Sequence, residues 1–308
     1  MALTGGTPDL LIFARTAAAQ TSPESTLVRV AGSCCRFDCG LKTLAAHSVV
    51  EDAGSGDPQT ADWPSRAPDF SAVGWLGGRL RPFSSWLEGV WQWVEFADDI
   101  AFCVRSDGSQ VHCLRLPTAS CPRDEVLLGP VLILALAARD RYALHASAVA
   151  VADGALLLLG PSGSGKSTLA RVAAAQGWQR LCDDVTPLGE AAAGFQVWPR
   201  FPQLKWDPVL QGDDQELPLA GLIWVERGDG PMQIKPMSKT AATKALLRDT
   251  VAARLFGAQR LQHHLGFCAR LAQRSPCWSL HLPEVAAEQI DLTASAFLAE
   301  LNNLGFGR

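Results

Sequence analysis

Between Leu10 and Leu116 apolar and polar positions alternate in short runs, as in Trp91-Gln92-Trp93-Val94-Glu95-Phe96 and Ile100-Ala101-Phe102-Cys103-Val104, broken by Gly-Gly and Asp-Gly pairs. A period of two sends every second side chain to one face of a strand, and the glycine pairs supply turns, so this part is expected to be β-rich. The stretch from Ala53 to Ala67, crowded with Gly, Asp, Pro and Ser, reads as a loop. Trp75, Trp86, Trp91 and Trp93 fall on these strands; they could line a peptide groove, but large rings on strands more often fill a core, and that is the expectation here.

After Pro122 the texture changes. The apolar run from Val126 to Ala138 is interrupted by Gly129-Pro130 and is too short to cross a bilayer, which predicts a buried helix from about Pro130 to Arg139. Apolar strands are predicted over about Ala143 to Ala152 and Ala155 to Leu159. Their Asp153-Gly154 connection is too short for a crossover, so they should pair antiparallel. A helix from Ser167 to Gln176 should stop at Gly177. Further strands are predicted at about Trp178 to Cys182, Phe195 to Trp198 and Ala220 to Glu226, and helices at about Lys239 to Phe256, Gln259 to Gln273 and Thr293 to Leu301. The pattern gives an α/β domain with a mixed, partly antiparallel sheet over residues 123–308, preceded by a smaller β-rich domain over 1–122.

Composition narrows the function classes. With 48% hydrophobic and 19% charged residues among 308, the chain can bury a substantial core and is not a disordered polymer. Its net charge of −4 offers no basic face for a phosphate backbone, so no nucleic-acid partner is expected. The opening MALTGGTPDLLIFARTAAAQ lacks a basic start followed by an apolar run and cleavage site, and the expected location is cytoplasmic, away from the membrane. Nine cysteines, an odd number, are expected as buried reduced thiols. Cys34, Cys35 and Cys39 lack a Cys-x-x-Cys spacing and a histidine-bearing second half, so no metal is expected there. His263 and His264, neighbours on a predicted helix, point in different directions and are expected at the surface.

The chemistry begins at Gly160-Pro161-Ser162-Gly163-Ser164-Gly165-Lys166-Ser167, which fits G-x-x-x-x-G-K-[ST] between an apolar strand and a helix. Glycines let successive backbone N–H groups turn around phosphate oxygens, and the helix N-terminus favours an anion. The expected nucleotide-binding stretch runs from Gly160 to Thr168. Within it Lys166 reaches the β- and γ-phosphates, Ser167 places its hydroxyl on Mg²⁺, and Thr168 lies one residue further into the helix.

Asp183 and Asp184 follow after one helix and one short strand. Adjacent carboxylates at a strand end can divide the work of phosphoryl transfer, one holding Mg²⁺ and the other taking the proton of an attacking hydroxyl. An exposed Asp-Asp turn is the plain alternative. His145, alone in an apolar strand, would by itself be a hydrogen-bonded core residue, and Lys205 with Arg200 a solvated surface pair or a contact for phosphate or an acidic substrate tail, a role for which Arg248 and Arg254 come after them.

Taken in order, Leu144-His145-Ala146-Ser147-Ala148-Val149, Gly160 to Thr168, and Leu181-Cys182-Asp183-Asp184-Val185 resemble the catalytic domain of HPr kinase/phosphorylase and its relatives, over about Leu127 to Val225. The stretch Trp198-Pro199-Arg200-Phe201-Pro202-Gln203-Leu204-Lys205-Trp206 looks like a segment of HPr-kinase-related proteins from peptide-modification gene clusters, including lasso-peptide precursor kinases. The resemblance implies an HPr kinase-like P-loop fold, ATP and Mg²⁺ as cofactors, and a homo-oligomer. It implies Asp183 as general base, Asp184 at Mg²⁺, and His145 near the γ-phosphate or the catalytic aspartate. The function expected is a kinase acting on a serine-type hydroxyl of a peptide or small protein, such as a lasso-peptide precursor. A small-molecule kinase for an amino acid or sugar alcohol, and a nucleotide-dependent switch, are the alternatives.

Overall fold

The computed structural model describes residues 10–14, 26–30, 33–37, 63–76, 79–97, 100–115, 123–203, 215–284 and 290–307. They fall into two compact units. The first gathers the described residues up to Asp140 with Ala252–Leu261, and the second the other described residues from Arg141.

Among the described residues eight strands form the sheet of the first unit: β1 (Leu10–Ala14), β2 (Thr26–Val30), β3 (Ser33–Phe37), β4 (Phe70–Leu76), β5 (Arg79–Glu88), β6 (Trp91–Phe96), β7 (Ile100–Arg105) and β8 (Gln110–Arg115). Their order is β2-β3-β1-β8-β7-β6-β5-β4, antiparallel except where β1 runs parallel to both β3 and β8. The register sets Trp86 opposite Trp93. Both are buried and pack edge-on against Trp63, with ring centroids 5.4 and 5.3 Å away. Trp91 packs on the same cluster, so these tryptophans are core. The side chain of Trp75 lies outside the described residues, as do Cys39, the side chains of Cys34 and Cys35, and most of the predicted loop from Ala53 to Ala67.

A buried helix follows, earlier and longer than predicted. It opens as α1 (Arg123–Val126), passes through a widened turn at Leu127–Val131, and continues as α2 (Leu132–Ala137). Pro130 does not end it, because the break in dihedrals falls on Gly129 (φ −94°, ψ −110°) and the chain resumes beyond as helix.

The second unit is a mixed sheet with helices. Its strands are β9 (Arg141–Leu144), β10 (Ala146–Val151), β11 (Gly154–Leu159), β12 (Arg180–Cys182), β13 (Thr186–Ala191), β14 (Gly194–Val197), β15 (Leu217–Gly228), β16 (Gln233–Pro236) and β17 (Cys277–Pro283). Its helices are α3 (Lys166–Ala175), α4 (Lys239–Asp249), α5 (Ala258–Arg274), counted in this unit from Gln262 on, and α6 (Ile290–Asn303). The strand order is β12-β10-β11-β15-β14-β13-β9, with β17 also on β15 and β16 on β17. β10 and β11 pair antiparallel through the Asp153-Gly154 turn, as that short connection requires, while β11 and β15 run parallel. β11 is buried along its whole length, as expected for a central strand with both faces covered. Leu156 and Leu158 of β11 pack with Leu169 of α3, Val225 of β15, and Phe297 and Leu301 of α6.

Three expectations change here. The helix predicted over Lys239 to Phe256 ends at Asp249, where Thr250 turns extended and bridges to Leu144. The strand predicted over Ala143 to Ala152 is two strands: β9 joins β13, β10 joins β11 and β12, and His145 is the single residue between them. Its N–H donates to Asp249 O at 2.8 Å, outside the ladders. His264, expected at the surface, is only 1% exposed. It shares the inner face of α5 with Phe267, Cys268 and Leu271, three, four and seven residues on. Its Nε2 lies 2.8 Å from Thr250 Oγ1, and burial pushes its pKa down to about 4. The described cysteines Cys103, Cys113, Cys182, Cys268 and Cys277 are all buried. Among the described residues no cluster of His, Cys, Asp and Glu could hold a metal by itself, and no helix is long and apolar enough to cross a membrane.

Candidate functional site

The turn from β11 into α3 is built on backbone that side chains resist. Gly160, Gly163 and Gly165 have φ of 132°, 81° and 106°, in the region where glycine carries no penalty. Gly160 has a second constraint: a Cβ there would stand 2.2 Å from Val225 O on β15. α3 then starts at Lys166 with Gly165 as N-cap, without a side-chain cap and without an acidic residue in its first turn. No acidic residue of α3 itself offsets the positive end of the helix, which favours an anion there.

Lys166 is buried and folds back over the turn, its Nζ donating to Gly160 O at 2.7 Å and Pro161 O at 2.9 Å. Ser167, one residue on, is exposed, and its Oγ donates to Asp183 Oδ1 at 2.6 Å. Ser147 Oγ of β10 donates to the same oxygen at 2.6 Å, and Arg180 pairs with Oδ2. The backbone N–H of Asp183 donates to Gln203 Oε1 at 2.9 Å, and Gln203 Nε2 donates to Val185 O at 2.8 Å. Burial by itself would raise the Asp183 pKa, but the two hydroxyls and the Arg180 guanidinium outweigh it and hold the carboxyl below its usual range.

Asp184 is placed differently. Its φ of 94° is a left-handed conformation rare for a non-glycine residue. The turn it makes leaves its carboxylate half-exposed, with Oδ1 3.4 Å from His145 Nδ1. The same ring nitrogen lies 3.1 Å from Asp184 O. A carbonyl only accepts, so this contact keeps a proton on Nδ1 and leaves Nε2 as the acceptor of the neutral ring.

The structure therefore brings Lys166, Ser167, Asp183, Asp184 and His145 to one end of β11, linked through the Ser167–Asp183 and His145–Asp184 contacts. Pro161, Ser162 and Gly163 are exposed on the turn, Ser164 is buried, and Thr168 is half-buried on α3. Arg200 is half-buried, and Lys205 lies outside the described residues. Ser147, Arg180 and Gln203 escaped the sequence reading. Ser147 stands two positions after His145, a spacing that puts alternate side chains of a strand on one face. Arg180 stands three before Asp183. Gln203 lies within the Trp198–Trp206 segment, but its reach back to Asp183 is visible only in three dimensions.

No family model matches the chain, and no curated protein matches it. Among solved structures it is similar to the HPr(Ser) kinase/phosphatase of Coxiella burnetii, at 11% identity, covering 53% of this chain and 98% of that one with a TM-score of 0.28. A likeness at that level assigns no activity; what the chain itself presents is a mixed α/β unit with a glycine-rich turn, a lysine and two carboxylates at one sheet edge.

Proposed function

We propose that the protein is an ATP-dependent, Mg²⁺-requiring kinase that phosphorylates a serine-type hydroxyl on a peptide or small protein, such as a lasso-peptide precursor. The observation that carries this reading is the 2.6 Å hydrogen bond from Ser167 to Asp183, which ties the turn from Gly160 to Thr168 to the aspartate pair. The oxygens of Ser167, Asp183 and Asp184 are the hard donors that suit Mg²⁺. When bound, the ion would neutralise charge on the phosphate oxygens. Lys166 would exchange the carbonyls of Gly160 and Pro161 for phosphate oxygens. The N–H groups at the start of α3 would hold the β-phosphate. In the first assignment Asp183 takes the acceptor's proton, Asp184 stands with Ser167 at the ion, and His145 orients Asp184.

A second assignment exchanges the aspartates, and one observation favours it. Asp183 already accepts from Ser147, Ser167 and Arg180, which lowers its basicity, whereas Asp184 is half-exposed beside His145. Asp183→Asn and Asp184→Asn separate the two. Loss of the acidic limb in the pH–rate profile marks the base, and a raised Mg²⁺ requirement marks the ion-holding residue.

The test of function is intact-mass analysis of precursor peptides encoded beside this gene, incubated with protein, ATP and Mg²⁺. A phosphate-sized gain that Lys166→Ala abolishes is the expected result. Nucleotide binding without a phosphorylated peptide would overturn the peptide acceptor, in favour of a small alcohol if one is phosphorylated, or of a switch if none is.

A further inference from the structure

The C-terminal end of α4 meets the joint at His145 and the indole of Trp224. Asp249, its last residue, accepts the His145 N–H on its main-chain oxygen at 2.8 Å, and Thr250 and Val251 continue beside Leu144 and Ala143. On its other side the Asp249 carboxylate, which is buried, accepts Trp224 Nε1 at 2.9 Å. Trp224 is the β15 residue registered with Leu159, immediately before Gly160. Asp249 thus spans from the joint before β10 to β15, the two neighbours of β11, at the edge where the glycine-rich turn begins.

That buried carboxylate holds an arginine. Arg248 Nε donates to Asp249 Oδ1 at 2.7 Å and Nη2 to Oδ2 at 3.2 Å, while the side chain is 56% exposed. Glu226 also acts on the guanidinium. It stands two residues beyond Trp224 on the same face of β15, past the point where Gly160 meets Val225. Through Asp249 and Trp224 the guanidinium is tied to the β15 residue registered with Leu159, the residue before the turn. A surface ion pair made only for stability does not need a carboxylate pinned from behind by an indole, since exposed pairs contribute little. A guanidinium fixed on one side and open on the other is the arrangement that binds phosphate with little loss of side-chain freedom.

Resting on the kinase reading above, we infer that Arg248 is a phosphate-binding residue for the terminal phosphoryl group of the nucleotide, and that Asp249 and Trp224 position it. Contact with the terminal phosphate alone discriminates ATP from ADP, which a purely structural arginine would not do.

The experiment is calorimetric titration of the full chain with Mg·ATP and with Mg·ADP, for wild type, Arg248→Ala and Arg248→Gln. Glutamine can still donate to Asp249, so it preserves the fold if alanine does not; thermal melting of each variant checks this. Arg248→Gln is expected to weaken ATP by about tenfold to a hundredfold and to leave ADP unchanged. Equal losses for both nucleotides, or no loss for either, overturn the role of Arg248 while leaving the kinase reading standing. Wild type that binds neither nucleotide overturns both.

Discussion

Gly160 meets two demands that only glycine among the amino acids can meet together: a φ of 132° and a carbonyl, Val225 O, 2.2 Å from where a Cβ would be. Gly160→Ala should therefore destabilise the fold by about 2–5 kcal/mol, read by urea unfolding, and displace the turn. Arg180→Ala removes one of the contacts holding the Asp183 pKa down, so the acidic limb of any pH–rate profile that depends on Asp183 should move to higher pH. The turn and the aspartate pair were legible because each is a short string of residues whose chemistry does not depend on distant neighbours. Ser147, Arg180, Gln203 and the Trp224–Asp249–Arg248 chain were not, since most of their contacts join positions that only folding brings together. The Arg180–Asp183 and Arg248–Asp249 pairs are close in sequence, but an Arg and an Asp so spaced are too common in ordinary helices and turns to stand out.

At the scale of elements, local signals read well. The Asp153-Gly154 hairpin and the helix after the turn follow from a turn pair and from Gly177 as a stop. The division of β9 from β10 did not, because their apolar residues form one unbroken run and only their partners differ. His264 was misplaced although its phase with Phe267, Cys268 and Leu271 was present in the sequence. Its depressed pKa has a measurable consequence. The folded state holds it neutral down to about pH 4, whereas the unfolded chain protonates it near 6.5. Its contribution is complete above pH 6.5 and is lost as pH falls from there towards 4, by roughly 3 kcal/mol at most. Unfolding free energies at pH 7.5 and 4.5 should thus differ by less in His264→Gln than in wild type. Phe267→Ala, next to it on the inner face, should cost about 3–5 kcal/mol by the same assay.

In the whole molecule the chain passes from the first unit to the second at Asp140, and Ala252–Leu261 returns to the first. In that returning segment Gln92 donates to Leu255 O, Arg254 donates to Val73 O at 3.2 Å, and Arg260 donates to Ser106 O at 3.1 Å. Leu255 and Phe256 are buried. A fragment of residues 141–308 would keep the segment and lose these partners, so it should melt about 10 °C or more below the full chain. Comparing the two by calorimetry checks this. The one-residue joint at His145 sets a further limit, on chain length. Inserting or deleting a residue between Leu144 and Ala146 would slip β9 against β13 or β10 against β11, and a slip of one exchanges inner and outer faces. The same change at the Asp153-Gly154 turn, or between Ala191 and Gly194, would be absorbed where the strands already part. From β9 to β11 length can thus vary only at the hairpin tip, so the spacing from His145 to the glycine-rich turn can change only through Asp153-Gly154.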